Sequence, residues 1–223
     1  MSKISNNIEP VRQYRELEHD EQFVVFGDPA ESQDYCAAVA FSKKHYDFPL
    51  VMNTIIESSQ FGYELFYMCK YIFSKTGIYP KLAVERNTGQ ATIYVLKTLN
   101  YPDLFRMVDF AAQGGSYEKG SIGWITTGAI SGGELVGTRR KMLDDLSLSI
   151  NQGMLKMYDE QQIRQLKSFM IVKGRAQARA HKKDDLVMAS AGAWQVAQLT
   201  PDHDWGDQDN ETFKREQEKW RFK

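Results

Sequence analysis

A chain of 223 residues with 42% hydrophobic content and a net charge of −1 has room for one large domain with a real core. No apolar run reaches the roughly 18 residues a membrane helix needs, and the polar N-terminus lacks a signal-peptide core, which argues against a membrane-spanning or secreted protein. With only Cys36 and Cys69, two buried free thiols in a reducing compartment are a simpler expectation than a disulfide framework.

Residues 1–20 are polar and mixed in charge, and read as a linker or a short peripheral helix. The run Phe23-Val24-Val25-Phe26-Gly27-Asp28 predicts a strand that stops at Pro29. Residues 34–41 and 47–53 predict two more, so the opening is an antiparallel meander. Residues 57–75 carry Phe61, Leu65, Met68, Ile72 and Phe73 at helical spacing, with Thr76-Gly77 as the stop. Residues 81–85 predict a strand, followed by a helix capped at Asn87 or Thr88 and reaching Asn100. Residues 104–108 are a further strand candidate, and residues 109–130, rich in Gly, Ser and Thr, are a loop or hairpin around Trp124.

The spacing then predicts a helix over 131–151, short strands at 154–157 and 169–172 flanking a polar helix at 159–167, and a last helix over 184–199. After Pro201 the chain is charged, with Trp205, Phe213 and Trp220 among few apolar residues, and reads as a tail. The expected organisation is 1–20 peripheral, 21–200 one α/β domain with a mixed sheet, and 201–223 tail.

Three acidic stretches lie beside apolar runs: Asp28 ends the first strand, Glu85 follows Leu82-Ala83-Val84, and Asp184-Asp185 open the last helix. A carboxylate at the end of a buried strand is costly to desolvate unless compensated. Three of them at element boundaries suggest a convergent cluster for divalent metal, since hard cations prefer carboxylate oxygens. The structural alternatives stand beside this reading. Asp28 could start an Asx turn before Pro29, and Asp184 could be only a helix cap, with Asp185 favourable against the helix dipole.

Between Ile163 and Lys183 seven basic residues occur with no acid, Lys173, Arg175, Arg179, Lys182 and Lys183 among them. Exposed cations are most often a solvated face. This stripe leads directly into Asp184-Asp185, which favours contact with a nucleic-acid backbone. Arg139 and Arg140 are weaker candidates for the same role. Trp124 is read as core or hairpin packing in preference to base stacking, and His181 is as compatible with a solvated loop as with a site. Met52, Met68, Met107, Met142 and Met188 are core filler.

The order strand–Asp, strand–Glu with Asn following, then Asp-Asp opening a helix resembles the nuclease domain of the large terminase subunit of tailed bacteriophages, a ribonuclease-H-like fold. The resemblance spans roughly residues 23–198. It rests on Val25-Phe26-Gly27-Asp28-Pro29-Ala30 with Asp34-Tyr35 following, on Ala83-Val84-Glu85-Arg86-Asn87-Thr88-Gly89, on Gly123-Trp124-Ile125-Thr126-Thr127, and on His181 with Asp184-Asp185-Leu186-Val187-Met188-Ala189.

The resemblance implies a ribonuclease-H-like mixed β-sheet flanked by helices. It also implies a metal-dependent endonuclease that cuts concatemeric double-stranded viral DNA during genome packaging. Asp28, Glu85 and Asp185 match the catalytic carboxylates, and Asp184 and Asp34 match acids that assist a second metal. Mg²⁺ or Mn²⁺, two ions in number, is the implied cofactor. The implied partners are double-stranded DNA, the terminase ATPase domain, the small terminase subunit and the portal, in the cytoplasm of an infected bacterial host. The family's ATPase motor carries a phosphate-binding loop, and no Gly-x-x-x-x-Gly-Lys-Ser/Thr occurs here. The expectation is therefore the nuclease part without its motor. The rivals are another ribonuclease-H-like nuclease of the resolvase or transposase type, and a non-catalytic DNA-binding packaging module.

Overall fold

Apolar runs long enough to be buried on both faces form the centre of a five-stranded sheet. The computed structural model describes residues 10–30, 34–107, 120–126, 129–131, 134–136, 138–172, 175–178 and 184–201. Strands β1 (Val11–Gln13), β2 (Phe23–Asp28), β3 (Cys36–Ser42), β4 (Asp47–Thr54) and β5 (Lys81–Val84) lie in the order β1-β4-β3-β2-β5. All neighbours are antiparallel except β2 and β5, which run parallel with Phe26 beside Ala83 and Gly27 beside Val84. The fold is the expected α/β mixed sheet flanked by helices. One difference is at the edge, where Val11–Gln13 pairs with β4 as a strand instead of forming a peripheral helix.

Alternation along the strands sorts the side chains into two layers. Val25, Ala38, Leu82 and Val84 pack under α1 (Ser58–Thr76) and α2 (Gln90–Thr98), joining Phe61, Leu65, Met68, Ile72, Ile93 and Leu96. Val24, Phe26, Val39, Phe41 and Ala83 face the opposite way, against α3 (Thr138–Asn151) and α5 (Asp185–Leu199). From Leu186 to Ala197 every residue of α5 is buried, so this helix runs through the interior. Two of its polar members are bonded: Ser190 Oγ accepts from Gln162 Nε2 of α4 (Glu160–Ser168) at 2.7 Å, and Gln195 Nε2 donates to Asp145 Oδ2 at 2.6 Å. Gly192 sits against the Phe26 ring so closely that a Cβ there would lie 2.4 Å from two ring carbons. Only a glycine lets α5 approach β2 this far.

Two hairpins flank α3 and α4. β6 (Ala129–Ser131) pairs with β7 (Glu134–Val136), and β8 (Phe169–Val172) pairs with β9 (Arg175–Ala178). The first corrects the helix expected from residue 131. Ala129–Ser131 and Glu134–Val136 pair as antiparallel strands where the helix was expected to begin, and the helix starts at Thr138. Residues 154–157 form no strand, only a bridge from Lys156 to Asp47. The segment at 104–106 is likewise bridge-like: Leu104 pairs with Leu82, and Arg106 with Ile122 and Gly123. α2 begins at Gly89–Gln90, without a side-chain cap from Asn87 or Thr88. Cys36 and Cys69 are buried free thiols, as expected. The five core methionines are buried, and so is Trp124. Among the described residues no helix is long and apolar enough to cross a membrane.

Candidate functional site

The parallel pairing of β2 with β5 places Asp28 and Glu85 side by side. Residue 85 continues the register of the pair, its amide donating to the Gly27 carbonyl at 2.8 Å. Asp28 follows Val24 and Phe26 on one face of β2, and Glu85 follows Ala83 on the same face of β5, the side that α5 covers. Both acids thus end parallel strands at one edge of the sheet, where ligands of open α/β sheets collect.

The loop after Glu85 is held in place by its neighbours. Thr88 Oγ1 donates to the Pro29 carbonyl at 2.7 Å, Asn87 Nδ2 donates to the Thr126 carbonyl at 2.6 Å, and the Arg86 amide donates to the Trp124 carbonyl at 2.7 Å. At Gly89 a Cβ would meet the Glu85 carbonyl at 2.1 Å, so the loop closes only with glycine there. The motif that joins Glu85, Asn87, Thr88 and Gly89 is a mechanical unit that holds the backbone just after Glu85.

α5 points its N-terminus at the same edge. Gly192 lies over Phe26, and Asp185 is seven residues earlier, about 10 Å along the axis, on the side where β2 ends in Asp28. The Asp28 carboxyl is held well above the ordinary carboxylate range, first by burial, then by the charge and hydrogen bonding of Glu85, then by the charges of Asp185 and Asp184. The structure therefore sets Glu85 against Asp28, with Asp185 and Asp184 near enough for their charges to act on it. The positive end of the α5 dipole offsets part of this negative charge.

Asp34 is exposed in the turn entering β3 and is not among the acids acting most strongly on Asp28. Arg139 Nη2 donates to Asp184 Oδ2 at 2.8 Å, which puts it at the acidic edge, while Arg140 pairs with Asp144 one turn on in α3. Arg175 opens β9. Lys173, Arg179, His181, Lys182 and Lys183 lie outside the described residues, as do residues 202–223. Two contributors were not singled out from sequence: Thr88 as a tie to Pro29, and Gln165, whose Oε1 accepts from the Leu186 amide at 2.8 Å. Their partners are far away in sequence, and no local pattern signals them.

Among the described residues no three His, Cys, Asp or Glu side chains stand close enough together to form a ready metal shell. The donor set still fits Mg²⁺ or Mn²⁺ by its chemistry. It is all carboxylate oxygen, with two acids in direct contact and two more nearby, and Mg²⁺ is commonly held by one or two carboxylates with several waters retained.

No family model matches the chain, and no curated protein matches it significantly in sequence. Solved structures do match. The large terminase nuclease from the thermophilic phage G20c superimposes with a TM-score of 0.62 at 13% identity, over 85% of this chain and 89% of that one. The chain has the large-terminase nuclease fold. The magnesium-bound form of the G20c nuclease matches with a TM-score of 0.61 at 13% identity, over 85% and 88% of the two chains. The human cytomegalovirus terminase nuclease domain, Mn-soaked and inhibitor-bound, matches with a TM-score of 0.50 at 14% identity, over 81% and 89%. The expected ribonuclease-H-like architecture is thus the one observed, a five-stranded mixed sheet between helices.

Proposed function

We propose that this chain is a metal-dependent endonuclease of viral genome packaging, hydrolysing phosphodiester bonds of double-stranded DNA to cut concatemeric genomes. The observation that carries this reading is the contact of Asp28 with Glu85 at the ends of two parallel strands, facing Asp184 and Asp185 at the N-terminus of α5. The likeness to terminase nucleases, one with bound magnesium and one Mn-soaked, supports it.

A bound divalent cation would supply an activated water and relief of negative charge on the leaving 3′-oxygen. Asp28 and Glu85 would hold it, with Asp185 beside them and Asp184 available for a second ion. The Thr88–Pro29 tie and the Gly89 closure hold the backbone beside Glu85, which would favour a carboxylate placed before substrate arrives. α5 packs on the face of β2 and β5 from which the acids project. The basic segment that includes Lys173, Arg175, Arg179, Lys182 and Lys183 enters α5 at Asp184, and would lay the sugar–phosphate backbone across the acids without reading base edges. Cleavage is therefore sequence-independent. Site choice falls to the terminase ATPase domain, the small terminase subunit and the portal, in the cytoplasm of an infected bacterial host.

The test is cleavage of supercoiled plasmid with Mg²⁺, Mn²⁺ or EDTA by wild type, Asp28→Asn and Glu85→Gln. Cleavage is expected only with metal, and at least about 10³-fold slower in either variant. Removing one crowded carboxylate should raise the metal-free melting temperature of Asp28→Asn and abolish its rise on adding Mn²⁺. Wild-type cleavage by a folded variant would overturn the assignment. Strong preference for branched over linear DNA would move the reading to a resolvase.

A further inference from the structure

Asp184 precedes the first residue of α5, where an aspartate ordinarily accepts a hydrogen bond from its own helix. It makes no such bond. That role has passed to another helix, since Gln165 of α4 accepts from the Leu186 amide at 2.8 Å. The carboxylate of Asp184 is instead turned to Arg139 in the first turn of α3, at 2.8 Å. Both side chains of this pair keep solvent contact, 36% for Arg139 and 28% for Asp184. The pair thus stands at the lip of the acidic site, open to an incoming ligand.

Charge decides what such a pair can do. Paired, Arg139 and Asp184 cancel, leaving Asp28, Glu85 and Asp185 to balance a divalent cation. Unpaired, Asp184 adds a fourth negative charge, which matches the four positive charges of two divalent cations. A guanidinium forms parallel hydrogen bonds with a phosphate diester as readily as with a carboxylate. A DNA backbone laid over the site would therefore compete directly for Arg139.

We propose that Arg139 is a positioning residue that holds Asp184 in reserve, and that an entering DNA phosphate draws Arg139 away and releases Asp184 to a second divalent cation. The inference rests on the nuclease reading above. It makes full metal loading depend on substrate and restrains the enzyme when no DNA is bound.

The test counts Mn²⁺ bound per chain by electron paramagnetic resonance, without DNA and with a short phosphorothioate duplex that resists cleavage. Wild type is expected to bind one Mn²⁺ alone and two with the duplex. Arg139→Gln should bind two without DNA, Arg139→Lys should return to one, and Arg139→Gln combined with Asp184→Asn should lose the gain. Circular dichroism confirms that each variant is folded. Equal Mn²⁺ counts for wild type and Arg139→Gln in the absence of DNA would overturn the proposal alone. No Mn²⁺ on any of the proteins would overturn the nuclease reading and the proposal with it.

Discussion

Gly192→Ala would place a methyl group 2.4 to 2.5 Å from three carbons of the Phe26 ring. Carbon atoms in contact sit about 3.5–4.0 Å apart, so the ring or the helix must move by about 1 Å. Phe26 is fixed in β2, between β3 and β5, and is 1% exposed, and α5 is buried along its whole middle, so neither moves freely. Overpacking of this kind costs about 1–3 kcal/mol, and this contact belongs at the upper end. Alanine's better helix propensity returns about 1 kcal/mol. The net loss is about 2 kcal/mol, or roughly 4–8 °C in melting temperature for a chain of this size. A shift of α5 also carries Asp185 away from Asp28, and a displacement near 1 Å slows a positioned reaction by about 10²-fold. Scanning fluorimetry and Mn²⁺-dependent plasmid cleavage would measure both effects. Phe26→Leu in the same chain makes room for the methyl and should recover much of the loss. A single variant that melts and cleaves like wild type, or a double variant no better than the single one, would refute the argument that this contact sets the position of α5.

Asp159 gives a pH prediction. Its carboxylate, 1% exposed, is pushed up by burial, but hydrogen bonds from Arg12, Tyr14 and the Gln162 amide outweigh that and hold its pKa below the ordinary value. A lowered carboxylate pKa stabilises the fold above the unfolded value near 4 and loses that contribution as pH falls through the folded value. Asp159→Asn should therefore lose about 1.5–3 kcal/mol at neutral pH and show a flatter acid limb between about pH 5 and pH 2, read by fluorimetry across pH. An acid limb as steep as that of wild type would count against the residue. Gln165→Leu removes the acceptor for the buried Leu186 amide and should cost about 1–3 kcal/mol, with cleavage falling further than stability explains. Unchanged cleavage would mean that Gln165 does not help to aim Asp185.

Much of the site was readable because its acids end apolar runs. Asp28 after Phe23-Val24-Val25-Phe26-Gly27, and Glu85 after Leu82-Ala83-Val84, announce strand ends by composition, and the parallel register then brings them together. What escaped the sequence depends on distant partners. Arg139 looked like one of three consecutive cations on a surface helix, and its partner is 45 residues away. The helix-cap alternative for Asp184 is not used either: the Leu186 amide goes to Gln165, 21 residues before Leu186. The helix expected over 131–151 starts only at Thr138, because Glu134–Val136 pairs as a strand with Ala129–Ser131. β9 was hidden within a basic stripe, since Arg175-Ala176-Gln177-Ala178 carries none of the branched or aromatic residues that mark strands. β1 pairs over three residues only, too few for alternation to register.

The central helix comes late in the chain, and this fixes the order in which the molecule can be completed. One face of the sheet is covered by α1 and α2, which follow the meander almost immediately and pack with β2, β3 and β5. The other face needs α5, whose contacts with β2 and β3 span some 150 residues. Contacts that distant form slowly, and chains emerge from the ribosome N-terminal end first. The half bearing Asp28 and Glu85 can be assembled while the half bearing Asp184 and Asp185 is still being synthesised. A nascent chain thus carries an open apolar face and an incomplete acid set, and both are completed only when Asp185–Leu199 docks.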